Sequence, residues 1–118
     1  MKNTVLYFMF LILISCGQQK KSSENTINPV EEINWIKEYI AATTKSPFPT
    51  KVVITQYTYK NQSVYLVNGC YNCADAVSYL YTSNKEQLCT FGGMIPNSNN
   101  CPDFFNEATD KKVIWKSF

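Results

Sequence analysis

The sequence predicts an α+β domain: an N-terminal amphipathic helix packed on an antiparallel sheet of about four or five strands, stapled by disulfides. Three observations predict it. Ile33, Ile36 and Ile40 recur at helical spacing. After them come several short runs rich in β-branched and aromatic residues, separated by turn formers. Finally, Cys70, Cys73, Cys89 and Cys101 fall within one stretch of a chain of 118 residues, short enough for covalent staples to matter.

A segment of different character precedes the domain. Met1 to Thr4 carries one lysine, and an unbroken apolar run follows from Val5 to Ile14. A permanent membrane helix needs roughly 20 apolar residues, so this run has the length of a signal-peptide core instead. It ends in Leu13-Ile14-Ser15-Cys16, which resembles a bacterial lipobox, with a small residue before the cysteine that takes a diacylglycerol. The expected organisation is a lipoprotein signal peptide over residues 1–15, a lipidated tether over 16–27 and a small domain over 28–118. An ordinary secretory signal, or a buried helix, with an incidental cysteine is the alternative. Acyl chains on Cys16 would hold the protein on a membrane without spanning it, each buried methylene contributing about 0.8 kcal/mol. The polar stretch from Gly17 to Thr26 has too little apolar surface to fold, and as a flexible chain it reaches roughly 17–19 Å. Gly17 rather than aspartate follows Cys16, and no acidic run follows it, so the expected location is the outer membrane facing the periplasm.

Asn28-Pro29-Val30-Glu31 opens the domain as a helix start: a capping asparagine, proline at the first helical position and glutamate at the third. The helix is expected to run to about Thr43, with Trp35 and Tyr39 flanking the isoleucine stripe, and Pro47 and Pro49 end it. Residues 51–59 and 63–67 read as strands joined by a turn at Lys60-Asn61-Gln62-Ser63. Pairing Tyr59 with Val64 and Tyr57 with Leu66 puts these four on one face with Val53 and Thr55, the face expected to meet the helix. Opposite lie Val52, Ile54, Tyr65 and Val67, apolar enough to need cover. A second hairpin is expected from Val77–Tyr81 to Gln87–Phe91, then a loop from Gly92 to Asn100, a helical turn or two over 102–107, and a last strand over 112–116.

Charge and composition exclude more than they suggest. Without Lys2 the chain has ten lysines against nine acids and no long basic stretch, so nucleic acid is not an expected partner. It contains no histidine and no arginine. The Ser-His-Asp and Cys-His devices and bidentate anion clamps are therefore missing, and no enzymatic activity is expected. Glu31 and Glu32 fit a helix start, and the remaining acids share no motif.

With Cys16 assigned to lipid, an even number of cysteines remains in an exported chain, and two disulfides are expected. Four cysteines allow three pairings; a nested one, Cys73 to Cys89 and Cys70 to Cys101, is preferred because a Cys70–Cys73 bridge restrains little. Cys70-Tyr71-Asn72-Cys73 has the spacing of a thiol oxidoreductase site. Such a site favours a helix N-terminus in a βαβ unit, and the flanks here look like hairpins. Four-thiolate zinc is disfavoured, since Cys89 and Cys101 do not form a second Cys-x-x-Cys. No metal or cofactor is expected.

Val64-Tyr65, Cys73, Tyr79-Leu80-Tyr81, Leu88-Cys89-Thr90-Phe91-Gly92-Gly93, Cys101-Pro102-Asp103-Phe104-Phe105 and Ile114-Trp115 together resemble a family of small envelope lipoproteins from Bacteroidota-type bacteria, a domain of unknown function. The resemblance implies an envelope-associated, cysteine-containing domain and supplies no mechanism. The expected function is a membrane-anchored periplasmic binding or structural module. Its contact surface would be the loop Gly92, Gly93, Met94, Ile95, Pro96 and Asn97, or the tyrosine-rich sheet face, and its partner an envelope protein. Alternatives are inhibition of an envelope hydrolase through that loop, and a thiol oxidoreductase.

Overall fold

The computed structural model describes residues 27–94 and 100–118. The signal segment, Cys16 and the tether up to residue 26 lie outside the described residues, as do Ile95, Pro96 and Asn97.

Five antiparallel strands form one sheet: β1 (Val53–Tyr59), β2 (Gln62–Asn68), β3 (Val77–Thr82), β4 (Gln87–Gly92) and β5 (Thr109–Lys116), in the order β4-β3-β2-β1-β5. Among the described residues three small helices accompany them, α1 (Pro29–Glu32), α2 (Asn34–Thr44) and α3 (Phe104–Glu107). The α+β expectation is corrected by this arrangement: the molecule is mostly sheet, and the single helix expected from Asn28 to Thr43 does not form. The start is local, with the Asn28 side chain accepting the Val30 N–H at 3.2 Å and Pro29 in the first turn. At Ile33, however, the backbone turns extended, with φ −93° and ψ 106°. A straight helix would keep one axis for all its side chains. The break lets α1 lie against β5 while α2 buries Trp35 and Ile36 among Ile54, Tyr65 and Val67. Burying such a side chain is worth about 1.5–3 kcal/mol, more than one residue's helix propensity.

The covered face is also the reverse of the one expected. Tyr57, Tyr59, Val64, Leu80, Cys89 and Phe91 close over Phe104 of α3, whereas α2 covers the face of Ile54, Tyr65 and Val67. Both faces are apolar, so alternation along the strands could not decide which cover went where. The β1–β2 register differs by two residues from the expected one, pairing Tyr59 with Gln62, Tyr57 with Val64 and Thr55 with Leu66. Its cause is a two-residue turn in which Lys60 (φ 49°) and Asn61 (φ 61°) are both left-handed, the requirement of a type I′ hairpin. A slip of two keeps every side chain on its face.

The disulfides are Cys70–Cys73 and Cys89–Cys101, which corrects the nested pairing. The reason lies in the register. Cys89 stands opposite Leu80, three residues in from Gly92, which pairs with Val77 at the start of β3. Cys73 precedes that start, so roughly 10 Å of strand separates it from Cys89 at about 3.3 Å per residue, beyond the Cα–Cα reach of a disulfide. Cys101, by contrast, leads into α3, which rests on the face that Cys89 points into, and the two Cα atoms stand 5.8 Å apart.

Candidate functional site

The chain's C-terminus is hydrogen-bonded along the entry to β1. Ser117 N–H donates to the Val52 carbonyl at 3.0 Å, Val52 N–H donates to Ser117 Oγ at 2.8 Å, and that hydroxyl donates to the Thr50 carbonyl at 2.9 Å. This fixes Phe118 at one end of the sheet. At the same end, β2 leaves into the Cys70–Cys73 turn, where Tyr71 N–H donates to the Lys51 carbonyl at 2.6 Å and Asn72 takes a left-handed φ of 66°. Tyr71 is thereby laid parallel to Phe118, ring centroids 5.6 Å apart and planes 24° from each other.

Two cations lie over the Phe118 ring. Lys51 Nζ lies 5.5 Å and Lys116 Nζ 5.7 Å from the Phe118 ring centre. Each contact adds about 0.5–1 kcal/mol at an exposed site and holds the ammonium groups near the rings. The rings nonetheless stay 43% and 57% exposed for Tyr71 and Phe118. The patch combines flat apolar surface with positive charge, which suits an anionic, partly apolar partner.

The rest of the expected site is divided. Gly92, Gly93 and Met94 follow β4, and Met94 is 81% exposed, but Ile95, Pro96 and Asn97 lie outside the described residues. Gly92 has φ +78° and passes so close to the Ala76 carbonyl oxygen that a Cβ would strike it, so its role there is to let strand ends meet. The tyrosine-rich sheet face is not available: Tyr57 and Tyr59 are buried around Phe104, and on the opposite face Tyr65 is buried as well, with Tyr79 38% exposed. Burial raises the hydroxyl pKa of Tyr65 and, with Tyr79 nearby, that of Tyr81.

Two shallow grooves also lie on the surface of the described residues. One, of about 490 Å³, runs between Glu32, Trp35, Glu38 and Asn84. The other, of about 310 Å³, lies between Ile27, Pro29 and Val113. Ser83, Glu32, Glu38 and Lys85 all line the first groove, while the second holds no hydroxyl or thiol side chain. Among the described residues no three acidic or cysteine side chains are grouped to hold a metal ion, and no helix is long and apolar enough to cross a membrane.

A family model for a domain of unknown function, DUF6970, matches residues 38–117. The chain belongs to the DUF6970 family. That match spans all five strands, both disulfides, Tyr71, Lys51 and Lys116, so the sheet and the aromatic patch, apart from Phe118, are parts of the DUF6970 domain. Trp35 and Ile36 precede it. No curated protein and no solved structure shows a significant similarity.

Sequence reasoning missed this patch. Its signal was faint: a tyrosine inside the Cys-x-x-Cys turn, and a lysine at the start of the first strand and at the end of the last. Only the pairing of Val53 with Lys116 brings those lysines together.

Proposed function

We propose that this DUF6970 protein is a lipid-anchored binding module of the bacterial cell envelope, held on the periplasmic side of the outer membrane through Cys16. Its contact surface is the patch of Tyr71, Phe118, Lys51 and Lys116. The observation that carries the reading is the stacked Tyr71–Phe118 pair, 43% and 57% exposed with two lysines over Phe118, whereas no aromatic ring of the sheet strands is more than 38% exposed. Aromatic side chains in a fixed array are among the strongest contacts of protein-binding surfaces, and rim cations steer an anionic partner toward them. Two disulfides fit an oxidising compartment, and the export pattern ending at Cys16 fits the same place. The likeness to small envelope lipoproteins of Bacteroidota-type bacteria supports the anchor and the location. The partner is an envelope protein presenting carboxylates beside an apolar surface.

The experiment is photo-crosslinking in native membranes, with the crosslinking residue at Phe118 or, as a control, at Asn106 near the opposite end of β1. One dominant protein captured at 118 and absent at 106 supports the reading. Equal capture at both positions, or none at 118, removes the patch as the contact surface. The intact mass of the purified protein tests the anchor separately, by the acyl mass on Cys16.

A second reading, inhibition of an envelope hydrolase, has one observation in its favour. The Cys89–Cys101 disulfide closes the segment that contains Gly92 to Asn97, the device by which a loop is held for a hydrolase. Slow cleavage of that segment by envelope proteases in the folded protein, with inhibition of one of them, is its test. Rapid cleavage sinks it.

A further inference from the structure

The two disulfides are not equivalent. Cys89 is 1% exposed and shares the cluster around Phe104, so the bond to Cys101 is part of the core. Cys73 is exposed and Cys70 half-buried, at the end of the sheet and in a turn with no core residue between them. The shorter of the two loops is also the one whose closure restricts the denatured chain least. From these facts we propose that Cys70–Cys73 is a thiol–disulfide exchange site, reversibly reduced by a small thiol or an exposed protein thiol, while Cys89–Cys101 is structural.

The turn around the pair is held without its sulfurs. Cys73 N–H donates to the Cys70 carbonyl at 3.2 Å, Cys70 N–H donates to Asn68 Oδ1 at 3.1 Å, and Tyr71 N–H reaches the Lys51 carbonyl. These bonds survive opening of the disulfide, so the two thiols stay close and reclose as an intramolecular step at high effective concentration. Exposure decides the point of attack. An external thiolate attacks Sγ of Cys73, the Sγ–Sγ bond breaks, and the electron pair leaves on Sγ of Cys70, which takes a proton. A second external thiolate then attacks the external sulfur of the mixed disulfide and releases Cys73 as a thiolate, which is protonated in turn. Two external thiols are thereby oxidised to one disulfide and the protein pair is reduced to two thiols. The pair lies in a turn after a strand and not at a helix N-terminus, so no helix dipole stabilises either thiolate. Proximity is what makes the exchange reversible.

The test uses the oxidised protein without denaturant, equilibrated with reduced and oxidised glutathione in stepped ratios, then quenched with acid, alkylated and mapped by peptide mass. Cys70 and Cys73 become alkylated together, with one oxidised glutathione formed per chain, while Cys89 and Cys101 stay unlabelled. Returning to oxidised glutathione removes the labelling. Two single variants add a readout that does not depend on the wild-type equilibrium: with Cys70→Ser the remaining Cys73 forms a mixed disulfide with glutathione faster than Cys70 does with Cys73→Ser. Labelling of Cys89 and Cys101 at the same ratio, resistance of Cys70 and Cys73 until the protein is denatured, or faster capture by Cys70 would each overturn the proposal. None of these outcomes depends on the partner surface, so the binding proposal stands or falls by crosslinking alone.

Discussion

Phe104 is the residue on which one face of the sheet depends. It is fully buried and meets Tyr57, Tyr59 and Phe91 at centroid distances of 5.1, 5.1 and 5.3 Å, edge-on to both tyrosines. Phe104→Ala leaves a cavity between three rings, and a loss of about 3–5 kcal/mol in denaturant unfolding is expected. Nearby, the Tyr59 hydroxyl donates to Asp103 Oδ1 at 3.0 Å. That bond, with backbone hydrogen bonding and Lys60, holds the Asp103 carboxyl below its ordinary value of 3.8. Because the folded value is depressed, the stabilisation is present above the ordinary carboxylate value and is lost as pH falls through the folded one. Stability measured between about pH 6 and about pH 3 should therefore fall more steeply in the wild type than in Asp103→Asn. Equal slopes would show that the carboxylate contributes nothing. Sequence reading placed Asp103 and Phe104 in a short helical turn, but it could not pair either with Tyr59, 44 residues earlier in the chain.

The hairpins show what local chemistry decides. Runs of β-branched and aromatic residues marked β1 to β4 because those side chains fit a pleated, half-buried surface. The turn between β1 and β2 was harder to read, since lysine is an uncommon choice at the first of two positions that need positive φ and asparagine a poorer one than glycine at the second. Lys60→Asn combined with Asn61→Gly relieves that strain and should raise stability by about 0.5–1 kcal/mol with the register unchanged. Chemical shifts of Tyr57 and Val64 would report the register. At the other hairpin, buried Thr82 accepts the Asn84 and Glu86 N–H groups with its hydroxyl at 3.3 and 3.2 Å, and Trp35 Nε1 reaches over to the Ser83 carbonyl at 3.0 Å. This second link ties α2 to the β3–β4 turn, and it helps explain why the expected single helix gives way at Ile33. A helix kept straight from Asn28 would have to choose between β5 and this turn.

At the scale of the molecule, covalent staples divide into one that crosses elements and one that does not. Cys89→Ser with Cys101→Ser should cost about 2–5 kcal/mol, because it frees a 12-residue separation and opens the core beside Phe104. Cys70→Ser with Cys73→Ser should cost clearly less, with thermal unfolding as the comparison; a larger loss from the second pair would contradict the division. The sequence by itself determined the absence of histidine and arginine, the presence of four cysteines between residues 70 and 101 and the approximate positions of the strands. These follow from composition and from periods of two or three to four residues, which are local. Only the tertiary structure decided which face α2 covers, which cysteines meet, and that Lys51 and Lys116 stand over the same ring. Each of these is set by the pairing of β1 with both β2 and β5, and by α3 lying on the face that Cys89 points into. Both sheet faces are apolar and all four cysteines are chemically alike. Local pattern therefore left several arrangements open, and packing over long chain separations selected one.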